Sequence, residues 1–288
     1  MTFHSGEREV QRRAGVADEA RAVGRGIGRT LTPPVARLLA RQRLAVASSL
    51  DADGRVWASL LTGPAGFLSP ADPSHLRIAA RPIPGDPLGP NLAVRPELGL
   101  LVIDPQTRQR MRFNGSARRS AEELTLDLDQ VYGNCPKYIQ LREAEPDGLV
   151  APEAPRVTSH LDARQRATIG NADTLFIASF HPEGGTDASH RGGFPGFVSI
   201  LGDDRLVFPD YPGNAMFNTL GNLAEYPRAG LLFVDFATGD VLQTSGRARL
   251  EPDFSVRLDI DEVREMRAAS PLRFRLVQFS PAIAALTR

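Results

Sequence analysis

Residues 209–223, PDYPGNAMFNTLGNL, set Asp210, Gly213, Asn214, Phe217, Asn218 and Thr219 between a strand-like run and a helix-like run, with no lysine or arginine among them. Free backbone N–H groups and the dipole at a helix start favour an anion. Gly213 and Gly221 would let backbone approach a ligand, and the Asn and Thr side chains add neutral donors. A phosphate fits that description. The same residues also fit a plain helix cap and turn. Just upstream, DASHRGGFPGFVSI (187–200) places Ser189 and Arg191 before two glycines. Arg191 is the nearest candidate for the missing charge, since a guanidinium grips phosphate in a fork. Phe194 and Phe197 could line a flat aromatic ligand or fill a core, and His190 reads as structural. Lys137, in YGNCPKYIQ, is the single lysine among 34 basic residues. In so arginine-rich a chain it marks either a site where a compact ammonium is needed or an exposed surface position.

Other chemistries are not supported. Cys135 has no His/Asn dyad that sequence can place beside it, so a buried structural thiol is expected. GRGIG (24–28) lacks the dinucleotide spacing, and no Walker or G-x-S-x-G sequence occurs. The five histidines show no metal-ligand pairing along the chain, and no metal is expected.

These residues must be positioned by a fold that occurs twice. NLAVRPELGLLVID (91–104) recurs as NLAEYPRAGLLFVD (222–235), and the same offset of 131 relates Gly115, Ala117 and Arg118 to Gly246, Ala248 and Arg249, and Leu44 to Leu175. Two copies at so long a period indicate a duplicated domain rather than a solenoid. Each copy reads as short strands broken by Gly and Pro, with one short helix. Copy one runs LAVASSL, VWASLLT, LRIAA; copy two runs LFIASF, GFVSI, RLVF. That pattern suggests a small β-barrel in each half. The expected division is a helical arm over 1–43, a first barrel over 44–140, a linker and helix over 141–168, and a second barrel over 169–288. Copy one's equivalent corner, ARPIPGDPLGPNL, lacks counterparts of Asn218 and Thr219, which favours one anion site, in copy two.

Composition bounds the partners. The 34 basic and 34 acidic residues balance, so neither a nucleic-acid footprint nor a polybasic membrane patch is expected. One cysteine excludes an intrachain disulfide. The opening residues carry charges and no apolar run, and no stretch of eighteen apolar residues occurs, so a cytoplasmic protein is expected.

The run from SHRGGFPGFVSI to QTSGRARL, with FHSGEREVQRRAGV, GRVWASLLTGPAGFLS, RMRFNG and YGNCPKYIQ, resembles the pyridoxamine 5'-phosphate oxidase-like, FMN-binding split-barrel superfamily, and within it the flavin-nucleotide-binding branch. The resemblance implies an α+β fold of tandem split β-barrels with FMN between them. It places the phosphate at Asn218 and Thr219 with Arg191, and the flavin ring along Phe197, Val198 and Ser199. It draws Lys137 and Tyr138 in from the other barrel. Single-barrel members form homodimers, and a homodimer acting on a small-molecule substrate or electron donor is expected. The basic cluster and the Trp-plus-Arg ending of true pyridoxamine phosphate oxidases are absent. The resemblance therefore implies an FMN-dependent oxidoreductase of another substrate. The alternatives are a non-catalytic flavin or nucleotide store, or a split barrel that binds haem or deazaflavin.

Overall fold

The computed structural model describes residues 2–80, 82–119, 123–151 and 153–286; Pro152 of the expected linker lies outside them. Three helices form the arm: α1 (Ser5–Arg13), α2 (Ala17–Gly24) and α3 (Pro33–Leu39). Copy one follows as β1 (Leu44–Leu50), β2 (Val56–Thr62), β3 (Leu68–Asp72), β4 (His75–Ile78), α4 (Leu88–Val94), β5 (Glu97–Asp104), β6 (Gln109–Arg119) and β7 (Leu124–Gly133). The connection carries β8 (Leu141–Glu145), β9 (Arg156–Thr158) and α5 (Ala163–Asn171). Copy two is β10 (Thr174–His181), β11 (Gly185–Gly192), β12 (Ser199–Leu201), β13 (Arg205–Phe208), α6 (Asn218–Glu225), β14 (Arg228–Val234), β15 (Val241–Leu250) and β16 (Val256–Met266). Last come β17 (Arg273–Gln278) and α7 (Pro281–Ala284).

The two sheets have one topology, β2-β1-β5-β6-β7-β4-β3 and β11-β10-β14-β15-β16-β13-β12, with β9 added on β16. The expected fold class, α+β split barrels, is borne out. Each copy breaks its ladder at the same glycine. A bulge falls between Asn114 and Gly115 and again between Ser245 and Gly246. A Cβ at Gly115 would lie 1.8 Å from the Asp127 carbonyl oxygen, and one at Gly246 2.1 Å from that of Asp259.

The register corrects one expected pair. Ser48 faces Gly99 and Ala178 faces Gly230, so the first strands are related by 130 positions while β5 and β14 are related by 131. Leu44 therefore corresponds to Thr174, not Leu175. The strand after the first is corrected too. The counterpart of VWASLLT is β11, GTDASHRG, and not GFVSI, of which only Ser199–Leu201 is strand.

The two copies pair within the chain. Alternate residues of the first strands point to different cores: Ala45 and Ala47 into copy one, Leu175 and Ile177 into copy two, and Val46 and Phe176 into a third core between them. Leu60, Leu101, Ala188 and Leu232 complete that shared layer. Each fully buried large aliphatic or aromatic side chain there contributes about 1.5–3 kcal/mol. Close backbone approach needs glycine on both sides. A Cβ at Gly99 would meet the Thr186 carbonyl oxygen at 2.4 Å, and one at Gly230 would meet that of Val56 at 2.4 Å. Strand β8, which follows copy one, pairs antiparallel with β17, which follows copy two, and clasps the halves together. No helix among the described residues is long and apolar enough to cross a membrane.

Candidate functional site

The loop into α6 is bent so that the helix start faces the other copy. Ala215 and Phe217 both have positive φ, 61° and 57°, and Phe217 at the N-cap makes no side-chain cap. Facing this helix start are β11 from the same copy and β6 from copy one. Between them lies a small cleft of about 70 Å³, lined by Arg110, Arg112, His190, Arg191, Asp210, Asn218 and Thr219 among others.

Charge is concentrated here. Arg112, 6% exposed, donates from Nη1 to Asp187 at 3.0 Å and to Asn218 Oδ1 at 3.0 Å, and from Nη2 to Ser189 Oγ. Its Nε has no partner. Burial works against the Arg112 charge, yet Asp187 holds its pKa above the ordinary value. Thr219 Oγ1 donates to Ser189 Oγ at 2.9 Å. Arg191 pairs with Asp210 at 2.5 Å. Among the described residues no carboxylate pairs with Arg110. Its Nε donates to the Cys135 carbonyl at 2.8 Å and its Nη1 to that of His190 at 3.3 Å. Burial, then Arg112 and Arg191, push Arg110 down to about 9. Burial and Arg110 likewise push His190 well below its ordinary range, so its imidazole is neutral at pH 7. Three guanidiniums thus face two carboxylates.

Copy one's corner is completed from within. Its residue at the Phe217 position is Asp86, which is buried and accepts from the Leu88 backbone N–H at 2.8 Å. Gln243, at the Arg112 position on β15, donates to Asp86 Oδ2 at 2.8 Å and to the Ala58 carbonyl at 2.7 Å. Leu61 and Val241 stand where copy two's site has Arg191 and Arg110.

Of the residues singled out from sequence, Tyr138, Arg191, Asp210, Asn214, Phe217, Asn218 and Thr219 line the cleft, and Ser189 is hydrogen-bonded to its wall. The structure does not bring Phe197, Val198 and Ser199 there. Val198 is in the core of copy two with Phe197 packed against it, and Ser199 is exposed on an edge strand. Lys137 is exposed and lines a neighbouring hollow. Arg110 and Arg112 were missed. The repeat offset itself could have found them, because it sets Arg110 against Val241 and Arg112 against Gln243.

The arm closes over the far side of α6. A Cβ at Gly6 would lie 2.3 Å from the Gly221 carbonyl oxygen. Asn218 Nδ2 donates to Glu7 Oε1 at 2.5 Å, and burial raises Glu7 to about 7. His4 and His181 stack at 3.7 Å, and with Glu225 they form a three-residue group that the sequence did not reveal. Its bonding is that of neutral imidazoles. His181 Nδ1 accepts from the Glu183 and Gly184 N–H groups, and His4 Nδ1 from that of Glu7. Each Nε2–H then donates, to Glu225 and to Asn222. A metal on Nε2 would need a proton on Nδ1, where backbone N–H groups already point.

The fold is a tandem split barrel with a cleft walled by both copies. Residues 161–275 match the family described as Pyridoxamine 5'-phosphate oxidase, and over that half the chain is similar to the pyridoxamine 5'-phosphate oxidase-like split-barrel superfamily. No curated protein matches it. Among solved structures, HupZ of Group A Streptococcus is 12% identical, covering 35% of this chain and 92% of its own, with a TM-score of 0.30. A putative 5-nitroimidazole antibiotic resistance protein from Bacteroides thetaiotaomicron is 10% identical over 43% of this chain and 98% of its own, TM-score 0.27. An F420 reductase is 15% identical over 34% and 90%, TM-score 0.22.

Proposed function

We propose that the protein is an FMN-binding flavoprotein, an FMN-dependent oxidoreductase that holds the cofactor's phosphate in the cleft between its two copies. The observation that carries this reading is the uncompensated charge. Copy one supplies its own carboxylate, Asp86, at the helix start, whereas copy two has Phe217 there and surrounds it with Arg110, Arg112 and Arg191. A phosphate is the group that such a corner lacks. The cleft, about 70 Å³, has room for little more than two water volumes, which suits a phosphate and not a whole nucleotide. The ring therefore belongs at the mouth, where Tyr138 and Tyr211 stand 5.3 Å apart and offer aromatic surface. Bound flavin would supply the redox chemistry. The chain's residues bind the phosphate, neutralise it and keep water from it. Both walls come from one chain, so a homodimer is not needed to build the site.

Titration of the flavin-free protein with FMN and with riboflavin tests this. FMN is expected to bind at least about 100-fold more tightly, since riboflavin lacks the phosphate. Equal affinity, or no binding of either, would sink the reading. Anaerobic NADH or NADPH then separates a reductase, which bleaches the bound flavin, from a store, which does not. Uptake of haem or a deazaflavin in preference to FMN would replace the cofactor while leaving the cleft in place.

A further inference from the structure

Arg110 and Asn134 each have two faces. One lines the cleft, and the other lines a separate hollow of about 680 Å³. The floor of this hollow is apolar, built from Val35 and Leu38 of α3, Met111 of β6 and Pro136. Among the described residues its charged lining is Arg108, Arg110 and Lys137, with no carboxylate. Arg108 bonds the Ile139 carbonyl at 3.0 Å and Gln278 Oε1 at 3.1 Å, and Arg110 bonds the Cys135 and His190 carbonyls. Dipoles orient these guanidiniums without neutralising them. Asn134 adds a second, independent signal. Its Oδ1 accepts from Asn214 Nδ2 at 2.8 Å, while its own Nδ2 is buried without a partner. A buried donor left unmade costs about 1–3 kcal/mol, so it is expected to be met by a ligand acceptor.

We propose that this hollow binds a small apolar or aromatic carboxylate, the substrate class of the protein, with its hydrocarbon on Val35, Leu38 and Met111 and its carboxylate between Lys137 and Asn134. An apolar floor with a cationic rim and no acid selects such a molecule over a neutral or cationic one. The shared Arg110 wall sets it beside whatever the cleft holds. Lys137 then serves the second ligand rather than the phosphate, which accounts for its place outside the cleft. The claim that this ligand is a substrate rests on the flavoprotein reading above; its binding does not.

The test is calorimetric titration of the full chain, free of flavin, with 2-naphthoate and with its neutral isostere 2-naphthamide. Naphthoate is expected to bind at least about tenfold more tightly. Lys137→Ala, at an exposed position where folding is not at stake, is expected to abolish most of that preference and leave naphthamide and FMN affinities unchanged. Leu38→Trp, which fills the floor, is expected to exclude both aromatic probes. Equal binding of acid and amide, an unaltered preference in Lys137→Ala, or unaltered binding in Leu38→Trp would each overturn the proposal. Naphthoate binding in a protein that ignores FMN would uphold the hollow and refute the flavin.

Discussion

The two helix starts of this molecule are built on one plan and solve opposite problems. At α4 the chain places Asp86, Gln243 and Ser59, so an internal carboxylate meets an internal amide and the corner is closed. At α6 the equivalent positions are Phe217, Arg112 and Ser189, and the corner sets three guanidiniums against two carboxylates, with none at the N-cap position. The serine and the helix asparagine are shared by both: Asn91 Nδ2 donates to Ser49 Oγ and Asn222 Nδ2 to Ser179 Oγ, each at 2.9 Å. What the two copies have in common is therefore scaffold, and what differs is the charge balance. On the proposed function, that difference separates residues that support folding from residues that would meet the ligand.

The largest effect is expected from converting one corner toward the other at its most buried charge. Arg112→Gln installs copy one's residue but strands Asp187 in the interior. Breaking such a pair costs about 3–5 kcal/mol, so both melting temperature and FMN binding should collapse. Asp187→Asn added to Arg112→Gln should restore most of the stability and none of the binding. Recovery of FMN affinity in that double variant would mean that Arg112 matters only for folding.

Phe217→Asp is the cleaner conversion, since it supplies the missing carboxylate at the helix start. Asp tolerates the positive φ of 57° better than most residues. The variant is expected to fold normally and to lose FMN by about 100-fold or more, because its own anion now occupies the charge field. Retained affinity would break the comparison outright. Asn218→Ala with Thr219→Ala should weaken FMN by roughly tenfold, as neutral donors contribute less than guanidiniums.

Much of this architecture is legible in the amino-acid sequence. The repeat was legible because β5 and β14 each carry apolar residues into their own copy's core and into the core between the copies. Strand β11 was not, and the reason is physical. Asp187, Ser189 and His190 are buried against the arginines of β6 and the site, and Thr186 is buried on the Ser48 carbonyl of β1, so the apolar alternation that marks a strand is missing. GFVSI looked like the strand because its apolar residues pack on copy two's core. The loop and helix half of the site was visible in Asn218, Thr219 and Arg191. The β6 half was hidden, since two more arginines in so arginine-rich a chain attract no notice until the fold sets them opposite α6.

A smaller effect tests the closed corner at α4, where Gln243 of copy two meets Asp86. Burial raises Asp86 to about 6, above its ordinary 3.8. For a carboxyl raised on folding, stability is highest below the unfolded value and falls as pH climbs toward the folded one. The window is therefore about pH 4 to 6, and the loss is up to about 3 kcal/mol. Asp86→Asn should flatten that slope in denaturant titrations while leaving FMN affinity alone. A change in FMN binding would show that the two corners are not independent.

The smallest effects concern the arm that covers α6, where two groups titrate in opposite senses. Burial, then the stacked His181, lower the pKa of His4; Arg8 adds to this, while Asn222 and Glu225 oppose it. A histidine lowered on folding leaves the arm fully docked above about pH 6.5 and loosens it as pH falls through the gap. Glu7 is raised to about 7, so its ionisation loosens the arm as pH rises from the ordinary carboxyl range to neutrality. The two slopes oppose each other, so wild-type protein should show a flatter pH dependence of resistance to trypsin at Arg8, Arg12 and Arg13 than either single variant. His4→Gln should leave only the descending slope toward neutral pH, and Glu7→Gln only the ascending one. Parallel pH profiles in the two variants would show that the arm is held by its packing of Val10 and Gly6 on copy two, with neither titrating group contributing.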